Sequence, residues 1–335
     1  MTTQLVYSNE FQQHDNPSHP ENAQRLTTML KDLKQSPLYP KLNVIAPQLL
    51  KEDILYDVHS RDMIHQIKTM SLQEENWIDL DTYVCKSDYK IARLAAGGLL
   101  NLTKNVLENK AKNGFALVRP PGHHATKDQS MGFCLFNNIA IAANELTKTH
   151  KKVLIFDLDV HHGNGTQEIF YDRSDVLYQS FHLSPHYPGT GSTDEIGIKE
   201  GKGYTINAPL HQGNGDSAVS NLLENIFLPI AKNYKPDLIL VSCGYDSHHA
   251  DRLGGLKLTA NYFGDIIKQL QTIQPKIVCT LEGGYNLKWL GKCLISQLAQ
   301  LSHQQINIED SADETDTSEP VIIDLKNQLK NIWDI

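Results

Sequence analysis

Residues 154–167 read LIFDLDVHHGNGTQ. The run begins like the middle of a buried strand, yet it continues into two aspartates, two histidines and a glycine-rich turn. Side chains alternate along a strand, so Asp157, Asp159 and His161 share one face while Leu158 and Val160 point to the other. Two carboxylates and an imidazole crowded on one edge repel or desolvate one another unless a cation holds them. The stretch therefore asks for a metal at the end of a core strand, and for a fold that builds its sites there.

Apolar runs at 115–118 (FALV), 153–156 (VLIF), 176–178 (VLY), 238–242 (LILVS) and 277–280 (IVCT) predict buried strands. Between them lie patterns with helical spacing. One follows Ser87, a candidate N-cap, another follows Asp216, and a third follows Thr259. Strands alternating with helices predict an α/β fold with a central parallel sheet covered on both faces. Ligands bind such sheets outside the carboxyl ends of the strands. There the sequence delivers RPPGHHA (119–125), DLDVHHGNG (157–165), SFHLSPHYPGTG (180–191), CGYD (243–246) and LEGGYN (281–286).

The 335 residues are read as one domain, 1–335. Residues 303–320, HQQINIEDSADETDTSEP, are expected to form an acidic, mobile loop before a final amphipathic helix over 321–335. No apolar run approaches the roughly 20 residues that span a bilayer, so no membrane partner is expected. The opening MTTQLVYSNEFQQHD lacks the pattern of a secretory signal, and the cytoplasm is the expected compartment. Five widely spaced cysteines without a CxxC pair predict free buried thiols. A formal net charge of −8 and the lack of a Lys/Arg cluster argue against a nucleic-acid partner. The sequence carries no signal for an oligomeric state.

For the metal, Asp246 just past the strand LILVSCGY is the best-placed third ligand beside Asp159 and His161. Three protein ligands with a position left for solvent are the pattern of a catalytic zinc site. The oxygen-rich set would also accept Fe²⁺ or Co²⁺. His123 and His124 follow a rigid Pro-Pro-Gly turn and can divide acid and base work if their environments differ. Asp157 is predicted to back His123 and Asn164 to back His124, leaving His124 as the general base. Tyr285, after paired glycines, is placed to donate to a developing oxyanion.

In this order the motifs resemble the zinc-dependent histone deacetylase family and its arginase-like fold, especially the class II branch and its bacterial relatives. The resemblance runs from SHPENAQRL (18–26) through GFCLFNN (132–138) to LEGGYN. It implies an amidohydrolase that removes acetyl or other short acyl groups from lysine side chains of a protein or peptide substrate. It implies Asp159, His161 and Asp246 as zinc ligands, and Tyr285 as the group that polarises the substrate carbonyl. It also implies Gly132 and Phe133 as one wall of an acyl-lysine tunnel, and Asp81 as a rim acid. Tyr187 stands at the opposite wall, where the family usually has phenylalanine. A structural potassium ion is implied at Asp157 and Ser180 with main-chain oxygens of Asp159, His161 and Phe181.

The closest rival is an acetylpolyamine amidohydrolase. Polyamine-selective relatives carry an acidic gatekeeper where this chain has Leu253, although Asp251 nearby offers a charge. A two-manganese ureohydrolase needs further bridging aspartates than CGYDSHH provides. A catalytically inactive acyl-lysine scaffold is the non-enzymatic alternative.

Overall fold

The computed structural model describes residues 2–335. The apolar runs become strands because both of their faces are covered: every residue of β6 (Val153–Asp157), β9 (Leu238–Cys243) and β10 (Ile277–Leu281) is buried. They form the centre of an eight-stranded, all-parallel sheet in the order β2-β1-β5-β10-β9-β6-β7-β8. The outer members are β1 (Thr3–Val6), β2 (Asn43–Ile45), β5 (Asn113–Ala116), β7 (Val176–Leu183) and β8 (Thr205–Leu210). A separate antiparallel hairpin, β3 (Glu75–Trp77) with β4 (Tyr83–Cys85), projects Asp79 and Asp81 from its turn.

The expected α/β architecture is therefore present, with corrections at the sheet's margins. The strand expected over 115–118 spans 113–116, and β1, β2 and β8 carry no clear apolar run. Asn207 and Pro209 interrupt β8, and proline is tolerated there because β8 is an edge strand that need not donate along both sides.

Helix Asp88–Leu107 begins where expected, but Ser87 does not cap it. Its backbone is left-handed, with φ of 72°, and the hydroxyl of Ser71 instead accepts the Tyr89 N–H at 2.8 Å. The pattern after Asp216 continues through a π-turn at Leu223–Phe227 into helix Leu228–Tyr234. Pro229, which has no N–H to donate, sits at the start of that last segment and accompanies the change in winding. Helix Ala260–Gln271 follows Thr259 as predicted and packs on Leu290–Leu301. Among the described residues no helix is long and apolar enough to cross a membrane.

The acidic stretch after residue 303 is irregular, and its polar groups bind the body of the protein. Asp310 accepts from His248, His249 and the Ala260 N–H. Glu314 accepts from Ser217, and Thr315 and Thr317 pair with Gly213 and Asn214. The final helix is Glu319–Leu329, shorter than the expected 321–335 at its C-terminal end. The chain then turns so that the Trp333 indole donates to the Gly203 carbonyl at 2.7 Å.

Candidate active site

The carboxyl ends of β5, β6, β9 and β10 converge on a narrow tunnel of about 200 Å³. Asp81, His123, His124, Gly132, Phe133, Asp159, His161, Tyr187, Leu253 and Tyr285 all line it, and these were named from sequence. His186 lines it as well and was not foreseen. Its ring stacks on His161 at 4.9 Å and its Nε2 lies 3.0 Å from the Leu253 carbonyl.

At the floor, one donor atom each of Asp159, His161 and Asp246 lie within 4.8 Å of one another. Asp159 Oδ1 accepts the His161 N–H at 2.9 Å and lies 3.0 Å from His161 Nδ1, while Oδ2 accepts the Gly283 N–H at 2.8 Å. Asp246 Oδ1 accepts the Val160 N–H at 3.0 Å. Its Oδ2 is buried, has no hydrogen-bond partner among the described residues, and lies 3.3 Å from His161 Nδ1. A buried carboxylate oxygen without a partner is costly, and a divalent cation is the group whose chemistry fits this donor set.

Glycine keeps that space open. A Cβ on Gly283 would sit 2.1 Å from Asp246 Oδ2, and one on Gly244 would sit 1.9 Å from Asp159 Oδ2. Burial and the charge of Asp159 push the Asp246 carboxyl up, while the imidazoles of His123 and His161 overcome burial and hold Asp159 low.

The tandem histidines have different partners. His123 Nδ1 lies 3.1 Å from Asp157 Oδ2, and His124 Nδ1 lies 2.8 Å from Asn164 Oδ1. Their rings are 4.0 Å apart. Burial lowers both imidazoles, but Asp157 and Asp159 outweigh it at His123 and raise it to about 10. At His124 burial is reinforced by His123 and His161, and the ring is held well below its usual range.

Asp157 and Ser180 are partners in the β6–β7 register and both are fully buried. Burial pushes Asp157 up, against the pull of His123. Ser180 Oγ lies 3.0 Å from His182 Nδ1, and the Phe181 ring turns into the core against Phe156.

The walls are built by unusual backbone. Gly132 and Phe133 both have positive φ, 55° and 69°, which swings the Phe133 ring to the tunnel, 5.9 Å from Tyr285. The Phe133 N–H donates to Thr82 Oγ1, tying this wall to the hairpin that carries Asp81. Burial and Asp79 raise the Asp81 carboxyl. Tyr187 faces His124 edge-on at 5.1 Å, and a Cβ on Gly132 would lie 3.0 Å from its hydroxyl.

Behind the site lies a polar network to which no motif had pointed. Arg25 donates from Nε to the Gly284 carbonyl at 2.7 Å and from Nη2 to the Glu282 carbonyl at 2.6 Å, and its guanidinium lies 5.0 Å from the Tyr285 ring centroid. Its Nη1 pairs with Glu21, which also receives Arg119 through two nitrogens. Burial opposes the charge on Glu21, but Arg119 outweighs it and holds the carboxyl well below the usual range. Glu282 Oε2 accepts the N–H groups of Gly122 and His123, at 2.6 and 3.1 Å, and so holds the histidine loop. The signal was present as the i, i+4 pair Glu21 and Arg25 in SHPENAQRL and as Glu282 in LEGGYN.

Two other His/Asp groups resemble ligand sets. In one, Asp88 Oδ2 lies 2.6 Å from His14 Nδ1, and burial pushes the Cys85 thiol up to about 12, so the thiolate a metal needs is disfavoured. The other is His248, His249 and Asp310.

Comparison with known proteins bears on the family and the fold. The family model for the histone deacetylase domain matches residues 19–301. A probable deacetylase of Archaeoglobus fulgidus is 36% identical over 298 residues, 86% of this chain and 82% of the relative. Histone deacetylase 15 of Arabidopsis thaliana is 39% identical over 292 residues, 85% of this chain but 52% of the relative. The crystal structure of the HDA15 HD domain superposes with a TM-score of 0.94 at 33% identity, covering 99% of this chain and 97% of that one. With the matched domain spanning most of the sequence and the whole sheet superposable, the chain belongs to the histone deacetylase family.

Proposed function

We propose that this protein is a zinc-dependent amidohydrolase that removes acetyl, or another short acyl group, from lysine side chains of polypeptides. The observation that carries the reading is the buried Asp246 Oδ2, without a hydrogen bond among the described residues, beside Asp159 and His161 at the floor of a tunnel lined by His124 and Tyr285. These three residues would hold zinc, which when bound supplies Lewis-acid polarisation of the amide carbonyl and acidifies water.

The chain's own groups then divide the work. Asn164 accepts from His124 Nδ1–H, which leaves Nε2 with the lone pair that takes a proton from the attacking water. His123, with Asp157 against its Nδ1, holds the proton that the leaving amine needs. The Tyr285 hydroxyl donates to the developing oxyanion. Phe133 and Tyr187 flank the aliphatic part of the lysine and exclude water, and Asp81 is placed to receive an N–H from the substrate backbone. A structural potassium ion is proposed at Asp157 and Ser180, with the main-chain oxygens of Asp159, His161 and Phe181. Adjacency in register and complete burial of these two oxygen-bearing side chains support that reading.

Two features favour a polypeptide over a polyamine. Exposed apolar groups, Tyr187 and Leu253, line the tunnel, and the hairpin that carries the tunnel-lining Asp81 also exposes Leu80 fully and Trp77 in part. In addition, Asp251 is not available to attract a distal ammonium group, because it is buried and both its oxygens accept backbone N–H groups. Free buried cysteines accord with the cytoplasm as the proposed compartment. The test is kcat/KM for an acetyl-lysine peptide against N8-acetylspermidine, with a chelator control. A preference for the peptide of about tenfold or more is expected, the scale of one well-packed apolar contact. A preference for the polyamine would overturn the substrate assignment, and chelator-insensitive turnover would overturn the metal.

A further inference from the structure

The loop that begins at Asp246 also reaches Tyr285. Asp251, 8% exposed, accepts the N–H groups of both Tyr285 and Asn286 on Oδ2, at 2.6 and 2.9 Å. Its Oδ1 accepts the Leu253 N–H at 3.0 Å. Asn286 closes the link by donating from Nδ2 to the Ala250 carbonyl at 2.6 Å. One carboxylate therefore ties the loop carrying a candidate metal ligand to the tyrosine and to the tunnel rim.

The tyrosine needs such an anchor. It follows Gly283 and Gly284, the latter at φ of +105°, and helix Leu290–Leu301 does not begin until five residues later. Glycines of this kind leave the backbone few conformational limits of its own. The Tyr285 ring meets Phe133 edge-on and lies beside Arg25, whose Nε holds the preceding Gly284 carbonyl at 2.7 Å but makes no hydrogen bond to the tyrosine's own backbone. The hydrogen bonds that the Tyr285 and Asn286 N–H groups donate to Asp251 fix the height of the backbone from which the phenol projects. Charge-assisted bonds to two consecutive N–H groups are among the stronger ways to do so.

We infer that Asp251 is a positioning residue that sets the catalytic reach of Tyr285, an inference that rests on the assignment of Tyr285 as oxyanion donor. The experiment is a double-mutant cycle on the zinc-loaded full chain, with Asp251→Ala, Tyr285→Phe and the pair. Asp251→Ala is expected to lower kcat about 10- to 100-fold, the cost of misplacing a catalytic group by about 1 Å. KM for the peptide and zinc content should stay close to those of the parent. In the Tyr285→Phe background the same replacement should change kcat less than about threefold, because the donor it positions is gone. Asp251→Asn, which keeps a carbonyl oxygen for the two N–H groups, should recover part of the loss. It also carries the cycle if the alanine variant does not fold. Equal fold losses in both backgrounds, or loss of zinc from the Asp251 variants, would overturn the inference. Parent-level turnover by Tyr285→Phe alone would instead overturn the role of the tyrosine.

Discussion

Asp246 and His248 stand two residues apart, and each belongs to a His/Asp cluster with metal-like spacing, yet the two clusters differ in what their atoms are already doing. In the second, the Ala250 N–H donates to His248 Nδ1 at 3.1 Å, so the proton must sit on Nε2, which gives it to Asp310 Oδ2 at 3.0 Å. His249 Nε2 lies 2.8 Å from Asp310 Oδ1, and Asp310 Oδ2 also takes the Ala260 N–H. A ring nitrogen that carries a proton has no lone pair for a metal. Among the described residues of the first cluster, Asp246 Oδ2 makes no hydrogen bond, although His161 Nδ1 lies 3.3 Å away, and no N–H is donated to a ring nitrogen of His161. Proximity of histidines and aspartates is common to both. A carboxylate oxygen without a hydrogen bond, beside a tunnel-lining histidine, belongs to one, and the other is a latch for the C-terminal strap.

The sharpest test of that difference is Asp246→Ala, which should abolish both bound zinc and turnover. Metal analysis of the purified variant checks it, and full zinc occupancy would erase the distinction between the clusters. Next in size, Tyr285→Phe should retain one zinc per chain while losing about 100- to 1000-fold in kcat, the usual cost of one oxyanion donor. Activity near that of the parent would remove the phenol from the chemistry. The smallest effect belongs to the latch. Asp310→Ala should leave zinc at one per chain and lower unfolding stability by about 1–3 kcal/mol, since it strands buried donors. Denaturant titration and metal analysis check this together, and a parent that binds two zinc ions with a variant that binds one would show the latch to be a second metal site.

How far the sequence could be read depended on whether a feature was local. The central strands were legible because burial on both faces produces continuous apolar runs. Edge strand β2 was not, because it is largely exposed, and β8 was not, because Asn207 and Pro209 break its apolar run although nearly all of it is buried. At Ser87 the residue type suggested a cap, but a left-handed backbone turns its hydroxyl away from the helix, and Ser71, 16 positions earlier, supplies a bond at that end. The acidic strap looked solvated by composition, because nothing in its own residues reveals that Asp310 meets two histidines more than 60 positions away.

The motif order and strand alternation, both local patterns, were enough by themselves to determine the parallel sheet, the end of it that bears polar chemistry, and the side chains gathered there. Only the tertiary structure decided which lone pairs remain free and that Asp251 serves the tyrosine loop rather than the tunnel. It also decided the network of Glu21, Arg25 and Arg119, whose partners lie up to 259 residues apart. The reason is physical: residue type sets what a group is able to donate or accept, but the partner that uses this capacity is chosen by packing between segments distant in the chain.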